Sequence, residues 1–175
     1  MFLDPGLLDA HTVAVDWGDG TMTSGVTLVA GAAPGSWTLS ASHVYGGGGL
    51  YTVTLVVDDG AAAVAAGTTA KVAGARLRSD GSLQIIGTSD ADRVDVKRQG
   101  KKLVVKADFL AGGEVVYDYA SVNSIEVDLA GGADRLNVTG AVGLPVLDLE
   151  QQSSISSMLK SFGRKVLDMF PNLLR

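Results

Sequence analysis

Apolar and polar residues alternate along several short segments in the first half of the chain. At positions 12–17, and again at positions 51–57, apolar side chains occupy every second residue. A period of two places these side chains on one face of a half-buried β-strand. Further strands are expected at 26–29, 37–39 and 61–72, and the small apolar residues of the last indicate close packing against a neighbouring sheet.

Glycine and aspartate punctuate these strands. Gly18, Asp19 and Gly20 follow the first strand, and four consecutive glycines at 46–49 precede the strand at 51–57. Glycine tolerates positive φ and an aspartate side chain accepts hydrogen bonds from turn N–H groups, so both residues close strands sharply. The first stretch therefore predicts a hairpin-rich unit that ends near residue 73.

A second series of short strands begins near Arg76. Strands are expected at 83–86, 93–96, 103–106, 115–117, 125–129 and 136–138. Within this series, residues 91–96 (ADRVDV) closely match residues 133–138 (ADRLNV), at an offset of 133 − 91 = 42 positions. An internal repeat at a fixed offset indicates either stacked turns or a pseudo-symmetric sandwich.

The last part of the chain has a helical pattern instead. Its apolar residues fall three or four positions apart in a polar background, and Pro171 ends the pattern. These residues are Ile155, Met158, Leu159, Phe162, Val166, Met169 and Phe170. We expect an amphipathic helix that packs on its own domain or on a partner. The sequence thus predicts three regions, at 1–73, 74–140 and 141–175.

Composition agrees with an all-β class. The chain has 175 residues, 46% of them hydrophobic, with 23 glycines and 4 prolines. A net charge of -5 without clustered Lys and Arg argues against nucleic-acid binding. Cysteine is absent, which excludes disulfides and thiol chemistry. No apolar run is long enough to span a bilayer.

Three motifs in the first stretch carry a family resemblance. They are DWGDGT from Asp16, SHVY from Ser42 and GLYTVTL from Gly49. Together they resemble the signature of polycystic-kidney-disease-type (PKD) domains of bacterial extracellular proteins, over about residues 2–73. The resemblance implies an immunoglobulin-like β-sandwich whose first strand is missing here, with Trp17 and Tyr51 as core anchors.

That resemblance also implies a location. PKD domains are usually extracellular and serve as spacers or as adhesion, protein-contacting or polysaccharide-contacting modules. The start of the chain lacks the basic and apolar regions of a signal peptide. We therefore expect an extracellular or cell-surface protein of which this chain is a truncated piece.

Aspartates suggest calcium as an alternative. The turns at 87–92 and 131–136 distantly resemble the glycine and aspartate turns of repeats-in-toxin β-rolls, which bind calcium between adjacent turns. In the first unit, Asp4, Asp9, Asp16 and Asp19 cluster near one strand end, and hard carboxylate oxygens suit calcium. Turn formation explains the same aspartates without a metal. We therefore expect no cofactor, and we assign no residue as a metal ligand.

Catalytic chemistry finds little support in the sequence. The two histidines, His11 and His43, show no metal-binding spacing, and no serine lies in a nucleophile elbow. We expect His43 to bond neighbouring backbone. No catalytic residue is nominated, and the chain is expected not to be an enzyme.

One basic cluster is a candidate for binding. Lys97, Arg98, Lys101 and Lys102 surround Gly100 in a predicted hairpin. Such a cluster is a solvated turn that protects strand edges, or a contact for an acidic polysaccharide.

The sequence as a whole predicts a non-catalytic extracellular spacer or adhesion module. The alternatives are a calcium-stabilised secreted β-repeat unit and an accessory domain of a secreted hydrolase. A protein or polysaccharide surface is the expected partner. Pairing of exposed strand edges would give a dimer.

Overall fold

The computed structural model describes residues 2–3, 10–140 and 142–149. Most of these residues lie in β-strands, which confirms the all-β class. The chain divides into two compact units, Met1–Val72 and Ala73–Arg175. Within the described residues, no helix has the length and apolar character needed to cross a membrane.

The first unit contains two antiparallel sheets. One has the strand order β3-β2-β6-β7 and the other the order β1-β5-β4. The strands are β1 (Phe2–Leu3), β2 (Thr12–Asp16), β3 (Met22–Ser24), β4 (Leu28–Ala30), β5 (Ser36–Leu39), β6 (Gly49–Asp58) and β7 (Ala63–Val72).

The core of this unit follows the period-two pattern. Val13 and Val15 on β2 are 2% and 4% exposed, and their register partners on β6 are Val57 and Leu55. Because residues two apart share a face, Tyr51 lies on the same side of β6, and it is also buried. The sequence predicted this apolar face correctly.

Strand β7 departs from the expectation. It pairs with β6 along its whole length and lies at the sheet edge. Nearly all its residues are exposed, and Val64 is 69% exposed. Close packing of this strand against a second sheet was therefore a wrong prediction.

The second unit also contains two sheets of four strands. Their orders are β12-β11-β10-β14 and β15-β13-β9-β8. The strands are β8 (Gly74–Leu77), β9 (Ser82–Ile86), β10 (Arg93–Gln99), β11 (Lys102–Ala107), β12 (Glu114–Asp118), β13 (Ser124–Asp128), β14 (Arg135–Thr139) and β15 (Val146–Asp148), with a 3₁₀ turn at Tyr119–Ser121.

The internal repeat appears as parallel strand pairs. β10 pairs in parallel with β14, and β9 pairs in parallel with β13, both at the offset found in the sequence. β13 then pairs in parallel with β15 at half that offset, since Ile125 is the register partner of Val146. The chain therefore winds in stacked coils, and the β11–β12 hairpin makes the first coil twice as long as the last.

One buried cluster joins the two sheets of this unit. Leu83, Ile85 and Ile125 contribute from one sheet, and Val96 and Leu103 contribute from the other. Each of these five side chains is fully buried. A close-packed core filled from both sheets gives the strands a rigid base for whatever their outer faces carry.

The boundary expected at residue 140 falls inside this unit. Strand β15 extends its sheet, and the backbone N–H of Ile125 donates to the carbonyl of Pro145. The expected amphipathic helix at 155–170 lies outside the described residues.

Candidate functional site

A histidine–aspartate pair closes the turn after β2. The Nε2 atom of His43 lies 2.7 Å from Oδ2 of Asp19, and the Oδ1 atom of Asp19 accepts hydrogen bonds from the N–H and the hydroxyl of Thr21. His43 thus bonds a carboxylate 24 residues away and not the neighbouring backbone that the sequence suggested. Both oxygens of Asp19 are used in holding the turn.

Aromatic rings surround the same histidine. Trp17 stacks on one face of the His43 ring with 5.0 Å between centroids, and Tyr45 meets the ring edge-on at 4.6 Å. Tyr45 in turn stacks on Tyr51 at 4.2 Å. Trp17 and Tyr51 are 9% and 3% exposed, so both are buried as expected. The DWGDGT and SHVY motifs therefore meet in one packed structural cluster.

The charge of Asp19 is stabilised by its neighbours. The hydrogen bond from the Thr21 side chain, followed by that from His43, lowers the pKa of Asp19 from 3.8 to about 2. A carboxyl group with this pKa is ionised at neutral pH and is a poor general base. The geometry favours a turn clamp over acid–base chemistry.

Of the other first-unit aspartates in the calcium hypothesis, only Asp16 lies among the described residues. Asp16 accepts a hydrogen bond from the N–H of Gly18, which is the turn role expected from the sequence. Asp4 and Asp9 lie outside the described residues. His11 precedes β2 and has its ring 5.5 Å from that of Trp37.

Two aspartate turns stack on each other in the second unit. The carboxylate of buried Asp92 accepts hydrogen bonds from the N–H and the hydroxyl of Thr88 at 2.7 and 2.9 Å. The N–H of Asp92 donates to Oδ1 of Asp134 in the next coil, at 2.9 Å. The repeat thus brings together turns that lie 42 residues apart in sequence.

Contact between these turns is close. Gly132 has φ +129°, and a Cβ there would collide with the carbonyl oxygen of Asp90. Among the described residues, no group of three or more His, Cys, Asp or Glu side chains is arranged to hold a metal ion. Each carboxylate oxygen of Asp92 accepts one hydrogen bond from Thr88, so its observed role is to lock the turn.

A charged face lies on the outside of the sheet β12-β11-β10-β14. We define the charged face as the outward cations of β10, β11 and β14, because alternation turns them away from the buried Val94 and Val96. These cations are Arg93, Lys97, Lys102, Lys106 and Arg135.

Neighbouring side chains engage only some of these basic residues. Lys106 forms an ion pair with Glu114 at 3.1 Å. Arg98, which the sequence placed in the basic cluster, lies with its guanidinium 3.7 Å from the centroid of the Tyr119 ring. Its Nε donates to the carbonyl of Gly100. Arg98 is thus engaged by Tyr119 and Gly100, and the other three members of that cluster, Lys97, Lys101 and Lys102, are exposed.

A groove of about 500 Å³ opens at one end of the charged face. Arg93, Arg135 and Lys106 line it together with Asp95 and Asp108. The two arginines occupy equivalent positions of the internal repeat and are register partners on adjacent parallel strands. This arginine pair was not predicted from the sequence, although both halves of the repeat contain the same Asp-Arg step.

No family model, curated protein or solved structure matches this chain.

Proposed function

We propose that this chain is a non-catalytic extracellular or cell-surface module that acts as a spacer or adhesion element. Its first unit is proposed to be a PKD-type immunoglobulin-like sandwich, on the strength of the three sequence motifs. Its second unit presents the charged face to a protein or polysaccharide partner.

One observation supports this proposal best. In each unit, the side chains best suited to acid–base or metal chemistry are engaged in holding turns, as Asp19 with His43 and Asp92 with Thr88 show. The charged face, in contrast, presents exposed cations on a sheet whose central strands, β10 and β11, bury Val94, Val96 and Leu103 on the opposite side. A rigid, preorganised surface loses little conformational entropy on contact with a partner, which suits binding.

Retention on solid matrices tests this function. The chain would be mixed with insoluble polysaccharides and with immobilised matrix proteins, and both the bound fraction and any soluble products would be measured. We expect retention without product release. A triple variant, Arg93→Glu, Lys97→Glu and Arg135→Glu, should reduce retention, whereas Arg78→Glu, which lies outside the charged face, should not.

Two results would contradict the proposal. Release of soluble fragments by the pure chain would show catalysis. Failure of retention on every matrix would refute the proposal that the second unit presents the charged face to a partner.

A calcium-stabilised β-repeat unit is the second candidate. Its support is the contact between the two aspartate turns, in which the N–H of Asp92 donates to Oδ1 of Asp134, together with the preference of calcium for carboxylate oxygens. Thermal unfolding with calcium and with a chelator tests it. A raised midpoint with calcium supports this candidate, and identical curves exclude it.

A further inference from the structure

The arginine pair of the groove, Arg93 and Arg135, places two positive charges side by side. Arg93 and Arg135 are register partners on adjacent parallel strands, so their Cα atoms lie about 5 Å apart. Both side chains are exposed, and no described residue forms a hydrogen bond or ion pair with either guanidinium. Like charges directly opposite each other destabilise a sheet. An anion between them would remove this repulsion and occupy their donors.

Other charged groups of the groove have protein partners. Lys106 pairs with Glu114, and Oδ1 of Asp95 accepts a hydrogen bond from the side-chain amide of Asn137 at 2.7 Å. The Asp108 carboxylate oxygens lie 3.3 and 3.4 Å from the backbone nitrogen of Arg93. The guanidinium groups are therefore the donors that remain for a ligand, and the carboxylates still have lone pairs that accept hydroxyl hydrogens.

We propose that this groove binds a uronic-acid unit of an acidic polysaccharide, with the sugar carboxylate between Arg93 and Arg135. Hydroxyl groups of the sugar donate to Asp95 and Asp108. The two carboxylates that accept these hydroxyls repel a densely sulfated polymer, so one carboxylate on a hydroxyl-rich ring fits the lining better. A groove of about 500 Å³ is in the size range of small-ligand sites. This proposal rests on the surface-binding function proposed above and specifies its ligand class.

Calorimetric titration of the full chain with polygalacturonate tests the proposal. The fully methyl-esterified polymer is the matched control, because it keeps the sugar ring and removes the charge. We expect the ionised polygalacturonate to bind and the methyl-esterified polymer not to bind. Arg93→Gln and Arg135→Gln should each weaken it by at least about tenfold, since each removes a charge-assisted hydrogen-bonding group. Arg78→Gln removes the same charge outside both the groove and the charged face and should change affinity less than about twofold.

Dextran sulfate separates site binding from diffuse attraction. If it binds more tightly than polygalacturonate, and all three glutamine variants weaken both polymers equally, the groove is not a specific site and the proposal is overturned. Equal binding of the methyl ester would overturn it as well. If polygalacturonate fails but another matrix retains the chain through the charged face, only the ligand assignment falls and the proposed function stands.

Discussion

Replacement of Asp92 by alanine tests the structural role of the stacked turns. Asp92 is 5% exposed, and its carboxylate accepts two hydrogen bonds from Thr88. A hydrogen bond to a charged group contributes about 1.5–3 kcal/mol. The Thr88 hydroxyl regains water in the variant, so we expect a total loss of about 3 kcal/mol in the free energy of unfolding, at the low end for two such bonds.

Urea denaturation followed by far-UV circular dichroism measures this loss. With a slope of about 1.5 kcal/mol/M, the midpoint of the second unit should fall by about 2 M. Both tryptophans, Trp17 and Trp37, lie in the first unit, so their fluorescence reports that unit separately and should not change. Asp90→Ala is the matched control. This exposed aspartate of the same turn should cost no more than about 0.5 kcal/mol.

Calcium provides the refuting condition. If hydrogen bonds explain the role of Asp92, the loss is the same with millimolar calcium and with a chelator. If instead the loss occurs only with calcium, and Asp90→Ala matches it, both aspartates are ligands and the turn-locking account is wrong.

The remaining predictions concern the cores, one turn and pH. Leu103→Ala, at a fully buried position, should lower the free energy of unfolding of the second unit by about 2–5 kcal/mol. Val116→Ala, at a position that is 45% exposed, should lower it by about 0.5 kcal/mol or less. Comparable urea midpoints for the two variants would contradict the packing described. Gly18 has a positive φ, and a Cβ at this position would collide with backbone, so Gly18→Ala should destabilise the first unit by more than about 2 kcal/mol. Gly46 faces open space, so Gly46→Ala should leave the stability unchanged. Urea denaturation followed by tryptophan fluorescence measures both variants. The pKa of Asp19 is lowered to about 2 in the folded state, so the unfolded state takes up this proton first as the pH falls. The first unit should therefore lose stability as the pH falls from about 4 towards about 2. Asp19→Asn should flatten this pH dependence of stability, and an unchanged slope would refute the lowered pKa of Asp19.

Strand faces could be predicted where burial is one-sided. On β2 and β6 the apolar residues alternate because one face packs on the core and the other meets solvent. The internal repeat left stacked turns and a pseudo-symmetric sandwich open, and the parallel pairing of β10 with β14 at the repeat offset corresponds to stacked turns. In both cases the burial or the pairing of a strand restricts which residue types can occupy each position, so the sequence itself carries the signal.

Other features leave no such local trace. The alanines and threonines of β7 are small and weakly polar, so their order does not distinguish a packed strand from an exposed one. Strand β3 is exposed along its length and has no alternation to detect. The contact of His43 with Asp19 depends on how two loops meet, and neighbouring residues do not encode it.

The coil length was hidden for a different reason. The β11–β12 hairpin doubles the spacing between the first two coils, so the sequence repeat spans twice the length that the last coil adds. That last coil ends in β15, which lacks the Ala-Asp-Arg step of the earlier ones. A sequence repeat therefore reports which strands are neighbours, but the length of the winding unit follows only from their pairing.

The position of the arginine pair follows from this winding. Stacking in register places each residue of one coil beside the equivalent residue of the next coil. For Asp95 and Asn137 this produces a hydrogen bond, because one residue of the pair is an acid and the other an amide. For Arg93 and Arg135 the two residues are identical, and two like charges stay side by side. The anion site proposed above depends on this local pair of like charges, because the carboxylates of Asp95 and Asp108 also line the groove.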